Sequence, residues 1–122
     1  MATRTPVIEY APNGQSHAVA VTWSGLLKSS DDVGAAFEGI HYADRSVQVT
    51  GTFGSAGSVS IEGSNDGANW AALNDAQGNP LAVSLARISI IQEMTRYVRP
   101  KVIAGDATTS LVVTLLARRQ GL

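Results

Sequence analysis

His17 and His41, with the acids Asp31, Asp32, Asp44, Asp66, Asp75 and Asp106, are the side chains best placed by type to hold a metal ion or pass a proton. A histidine site needs ligating partners at short, regular spacing. Neither histidine has one two or four residues away, so the sequence predicts no metal centre. The aspartates stand in predicted loops, most of them beside Gly, Ser or Asn. Turn formation through bonds to their own backbone explains them more simply than a calcium ion bridging two loops. The chain is rich in serine, but no sharp strand-to-helix nucleophile turn accompanies any serine, and a Ser-His-Asp arrangement has no support. Gly51, Gly54, Gly57 and Gly63 belong to strands and turns, because a phosphate cradle requires a helix to follow and none does. Arg96, Arg99 and Lys101 flank Tyr97. A basic-aromatic strand can bind single-stranded nucleic acid, but with Glu93 close by and a formal charge of −1 a protein contact is the better reading. The expectation is no catalytic residue, no cofactor, no metal and no enzyme.

Composition points the same way. A chain of 122 residues is one domain able to bury a core without staples. Near-neutral charge removes the electrostatic case for nucleic acid or an anionic membrane. The absence of cysteine excludes a disulfide scaffold, a thiolate zinc site and a cysteine nucleophile. The stretch MATRTPVIEYAPNG does not read as a signal peptide, and no run approaches the about 20 apolar residues that span a bilayer. Arg outnumbers Lys seven to two, which favours interface use because the guanidinium fork makes bidentate contacts.

The elements that must carry these residues are strands. Val47, Val49, Gly51 and Phe53 alternate with Gln48, Thr50 and Thr52, and Val59, Ile61 and Gly63 alternate with Ser58, Ser60 and Glu62. The small GSAG segment between these runs predicts an antiparallel hairpin. Asn65-Asp66-Gly67 predicts a tight structural turn with Gly67 at positive φ, after which Trp70 returns onto the sheet. Val47, Val49, Phe53, Val59, Ile61 and Trp70 are expected in one core.

Further strands are predicted over Ala18–Trp23, over Trp70–Leu73, over Tyr97–Ile103 and over Ser110–Arg118. Ala82–Met94 fits both a helical turn and a strand, and its β-branched content favours the strand. Ala35–Ile40 is a short element of undecided type, and Lys28–Gly34 a polar loop. Pro100 lacks a ladder donor and predicts an edge position or a bulge. The last strand is apolar on both faces. Leu111, Val113 and Leu115 fill one face, and Val112 and Leu116, on the other, predict a subunit interface or a cover. Residues 1–17 read as an extended N-terminal arm ahead of one sandwich domain over 18–122. Val7, Ile8 and Tyr10 make the arm too apolar for a free tail, so it is expected to cross to a neighbouring subunit. The fold class is all-β, an antiparallel β-sandwich of jelly-roll type.

The segment GTFGSAGSVSIEGSNDGANWAAL resembles small structural proteins of tailed bacteriophages, and TRYVRPKV and GDATTSLVVTLLARR resemble the end of the same family. Together these lie within the span from Gly51 to Arg119, a little over half the chain. The resemblance implies a capsid decoration, or cement, protein: a β-sandwich subunit that caps the head lattice as a homotrimer and bridges major capsid subunits. It would sit on the virion surface after assembly in the host cytoplasm, with itself and the major capsid protein as partners and with no nucleic acid or membrane. Val7, Ile8, Tyr10, Arg96, Arg99, Val112 and Leu116 are then the expected interface. SNDGANW and RYVR are also similar to discoidin-type carbohydrate-binding jelly rolls, and a tail or adaptor component shares the same assembly logic. The GSAG, NDAQGNP and GDATT loops carry no aromatic residue, which departs from the sugar-binding pattern.

Overall fold

A computed structural model describes residues 2–11 and 15–119 and shows strands and no helix among them. In chain order the first six are β1 (Thr3–Arg4), β2 (Val7–Ala11), β3 (Gln15–Leu27), β4 (Val33–Gly34), β5 (Phe37–Glu38) and β6 (Asp44–Thr52). The rest are β7 (Ser58–Ser64), β8 (Ala71–Ala72), β9 (Ala82–Val83), β10 (Arg87–Ile90), β11 (Tyr97–Ala104) and β12 (Ser110–Arg118). One sheet has seven strands, ordered β1-β4-β11-β7-β8, with β5 also on β11 and β9 also on β7. It is antiparallel except where β1 joins β4. The second sheet has five strands, ordered β10-β6-β12-β3-β2, all antiparallel. The protein is an all-β sandwich, as its alternation predicts.

Period-2 patterning puts one face of every long strand indoors. Val19, Val21 and Trp23 of β3, Val47 and Val49 of β6, and Leu111, Val113 and Leu115 of β12 form one wall of the core. They meet Val59 and Ile61 of β7 and Val98 and Val102 of β11, each of these side chains no more than 2% exposed. Trp23 is the fully buried aromatic, and its indole N–H donates to Ala35 O at 2.9 Å, which removes the penalty of burying the donor.

Four expectations need correction. First, β6 and β7 do not form a hairpin. β6 lies in the five-stranded sheet and β7 in the seven-stranded one, so GSAG carries the chain across the sandwich. Alternation is the same for both arrangements, because each strand buries one face in either. Gly54 and Ala56 take positive φ there, and the arch is tied to the β11–β12 turn. Asp106 Oδ2 accepts the Ser55 N–H at 2.9 Å, and Thr109 Oγ1 donates to Phe53 O at 2.8 Å.

Second, Trp70 is half-buried on the outer surface and is absent from the core, while Phe53 only packs against its margin. Third, Gly51 is exposed at φ 108°, beside the point where β12 shifts register against β3 between Leu111 and Val113, so the buried face of β6 stops at Val49. Fourth, the N-terminal segment is extended but does not leave its own chain. β1 joins one sheet and β2 the other, and β3 begins at Gln15. The arm spans the two layers at one edge, with Pro6 between its two strands where no ladder donor is required. Residues 1 and 12–14, which also belonged to the expected arm, lie outside the described residues.

Other segments resolve the open readings. The polar loop 28–34 ends in β4, the undecided stretch 35–40 contains β5, and 82–94 splits into β9 and β10 on different sheets. Pro100 sits within β11, where its far side is flanked by neither β5, which stops opposite Val98, nor β4, which pairs only at Lys101. Its missing N–H falls in that gap, and a Cβ on Gly34 would meet its ring at 2.6 Å.

Candidate functional site

The residues expected at an interface divide between two opposite faces. Arg96 and Arg99 lie on the outer side of the seven-stranded sheet; Val7, Val112 and Leu116 lie on the outer side of the five-stranded sheet.

On the seven-stranded sheet, Arg99 is opposite Glu62 and Tyr97 opposite Ser64, which places these side chains on one face. The Arg99 guanidinium sits 4.0 Å from the centre of the Trp70 ring, and its Nε donates to Glu62 Oε1 at 3.0 Å. Arg96 lies 5.2 Å from the Tyr97 ring centre and donates to Glu38 Oε2 at 2.6 Å; this partner raises its proton affinity further. Trp70 and Tyr97 are tilted rings 6.5 Å apart. Each guanidinium therefore has both a carboxylate and an aromatic face. The pair is an ordered surface of Trp, Tyr and Arg, the side chains enriched where protein contacts are strongest. It is not a bare basic strip for a phosphate backbone.

The corner at Asp66 holds itself together. Asp66 Oδ1 accepts the backbone N–H of Ala68 and of Asn69, both at 2.8 Å, and the Ser64 hydroxyl at 3.0 Å. Asp66 Oδ2 accepts the Asn69 side-chain N–H at 2.7 Å, and the bonds from Asn69 are the main reason its carboxyl is held well below the usual range. Gly67 has φ 78°, and a Cβ there would come within 3.3 Å of the Tyr97 ring. All the lone pairs used point inward to the turn.

On the five-stranded sheet the register lays out two rows. Ile88, Gln48, Thr114, Thr22 and Val7 form one, and Ile90, Ser46, Leu116, Ala20 and Glu9 form the next. Val7, Ile88, Ile90 and Leu116 are 63%, 66%, 61% and 54% exposed. Ile8 and Tyr10 point to the other side of β2, opposite Val21 and Val19, yet stay largely exposed because β2 is an end strand. Charge on this face is confined to its rim, at Glu9 and at the Arg118–Asp44 ion pair of 3.1 Å. A shallow groove of about 520 Å³ runs beside Ile90, Ser46 and Leu116.

Ile88 and Ile90 are not among the residues the sequence singles out; the signal for them is the Ile-Ser-Ile alternation inside a segment that also fits a helical turn. Arg45 also escapes the sequence reading. It is buried, and donates to Gly39 O at 2.5 Å and to Tyr42 O at 2.8 Å, and burial lowers its proton affinity. It clamps the 39–45 loop from within. His17 and His41 are exposed, and among the described residues no three His, Asp or Glu side chains gather in a metal-holding group.

Fold and surfaces together define a β-sandwich that presents two structured outer faces. No protein-family model matches the chain, and no curated protein matches it. Among solved structures it is similar to the SPBc2 prophage-derived protein YomS, with a TM-score of 0.60 over 82% of this chain and 93% of that one. The two are 11% identical, so the likeness is one of fold.

Proposed function

We propose that this chain is a non-enzymatic structural component of a bacteriophage particle, and in its finer form a head decoration protein that stabilises the capsid by bridging major capsid subunits. The observation that carries this is the uncovered outer face of the five-stranded sheet, where Val7, Ile88, Ile90 and Leu116 stand exposed among Ser, Thr and Gln. A broad sheet face with exposed apolar side chains and charge only at its rim is a contact surface in search of a partner. Support also comes from the sequence resemblance to phage structural proteins and from a fold shared with a prophage-derived protein. Several moderate contacts from a homo-oligomer on a repeating lattice hold by effective concentration rather than by one deep pocket. The carbohydrate-binding alternative has less support, because the Trp70 face that a sugar ring would stack on carries Arg99.

The test is to purify particles from the phage encoding this chain and locate it by cryo-electron microscopy, beside particles lacking it. Density on the outer head surface between capsid subunits, with heads that lose their genome at lower temperature when the chain is missing, is the expected result. Density in the tail retains the particle reading and removes the decoration one; absence from the particle removes both.

A further inference from the structure

We propose that a second copy of this chain docks along the free edge of β10, the two β10 strands pairing antiparallel about a two-fold axis at Ser89. β10 ends the five-stranded sheet, and among the described residues no strand lies on its far side. The bonding pattern shows which groups that edge presents. Ile91 N–H donates to Arg45 O at 3.1 Å, and the register continues as Ser89 opposite Val47 and Arg87 opposite Val49. Bonded and non-bonded pairs alternate in an antiparallel ladder, so Ile88 and Ile90 turn their N–H and C=O groups away from β6. These are the groups a new strand would pair with.

Edge strands ordinarily carry a lysine, a proline or a bulge that prevents such pairing. β10 has none of these. Its register with β6 is unbroken, and its one charged residue, Arg87, is bound to Ser89 Oγ at 2.7 Å and to Asp75 Oδ2 at 3.4 Å. Ile88 and Ile90 are exposed, and so are Leu85 and Met94 on either side of the strand.

The occupant follows from the sequence of the strand itself. A two-fold contact requires that if one residue meets a second, the second meets the first. Ile88-Ser89-Ile90 reads the same in both directions. With Ser89 opposite Ser89 of the second copy, Ile88 faces its Ile90 and Ile90 faces its Ile88, as the outward-pointing backbone groups require. Arg87 then faces Ile91 of the second copy, so no like charges oppose. The result is one continuous sheet of ten strands, with four isoleucines clustered at its centre. This pairing is read in solution and stands or falls apart from the particle reading.

The chain has no cysteine, so a single Ser89→Cys substitution gives an unambiguous probe. Serines opposed in a non-bonded pair lie about 4.5 Å apart at Cα, within disulfide range. Mild oxidation of Ser89→Cys should give a covalent dimer, while Gln48→Cys, on the same sheet but away from the edge, should form no covalent dimer. In parallel, sedimentation equilibrium of the full chain should show a dimer whose dissociation constant rises roughly tenfold or more in Ile88→Lys and Ile90→Lys, each with an unchanged far-ultraviolet spectrum. A folded wild type that is monomeric at all concentrations, with no covalent dimer from the oxidised Ser89→Cys variant, overturns the proposal. So does a trimer weakened by Ile88→Lys, which would mean head-to-tail pairing of β10 on the β2 edge. If a lysine variant fails to fold, the Ser89→Cys cross-link decides alone.

Discussion

Arg4 Nε donates to Asp32 Oδ2 at 2.6 Å, joining the N-terminal strand to a carboxylate with no solvent exposure. The same oxygen accepts the Leu27 N–H at 3.0 Å, and Asp32 Oδ1 has no protein partner. Arg4 is thus the one cation within reach of this buried charge among the described residues, and it belongs to the segment that spans both sheets. Without Arg4 the buried carboxylate loses its counter-ion and keeps only the Leu27 N–H on Oδ2. Arg4→Ala should therefore lower stability by about 1–3 kcal/mol in urea unfolding. Deleting residues 2–11 should lower the melting temperature further, since β1 and β2 are lost with it. Unchanged melting in both would mean the segment is not held by its own sheets.

Trp23 and Trp70 should separate cleanly. Trp23→Ala empties the centre of the core and should cost about 3–5 kcal/mol. Trp70→Ala removes a half-buried ring and its contact with Arg99, and should cost about 1–2 kcal/mol. Fluorescence of the single-tryptophan variants gives an independent check: emission from Trp23 should be blue-shifted relative to that from Trp70. The reverse order would place Trp70 in the core after all.

Two glycines at positive φ should respond unequally to alanine. At Gly51 a Cβ would lie 2.5 Å from the backbone oxygen of Ser110, which cannot move without disturbing the β6–β12 ladder. At Gly67 the nearest atom is on the Tyr97 ring, at 3.3 Å. Gly67→Ala should cost about 1–2 kcal/mol from the left-handed backbone alone, and Gly51→Ala clearly more. Chemical denaturation of the two variants ranks them directly.

Acid should destabilise the sandwich. Hydrogen bonds from Thr108, with the Ser55 N–H, lower the Asp106 carboxyl to about 2; bonds from Asn69 lower Asp66, and bonds from Asn74 lower Glu93. A carboxyl depressed in the folded state contributes stability that is complete above its unfolded value and is lost as pH falls through the folded one. Melting temperature should be flat from pH 7 to about 5 and fall between about pH 4 and 2. Asp106→Asn should shallow that fall while lowering stability at neutral pH. A melting temperature that rises on acidification would contradict the assignment.

What the sequence determined by itself was the alternation, and with it the fold class, most strand positions and the inward set Val47, Val49, Val59 and Ile61. Period 2 is a local property of an extended chain with one dry face, so it survives without knowledge of the partner strand. Gly67 was legible for the same reason, since a tight turn is closed by its own few residues. Partner choice was not local. Only the tertiary structure decided that β6 and β7 lie in different sheets, that β1 and β2 return to their own chain, and that Trp23 is buried where Trp70 is not. It also decided that the expected interface residues divide between two faces, with Arg99 stacked on Trp70 on one and Leu116 beside Ile90 on the other. Those outcomes depend on contacts between residues far apart in the chain, where the same alternating pattern is satisfied equally by several pairings.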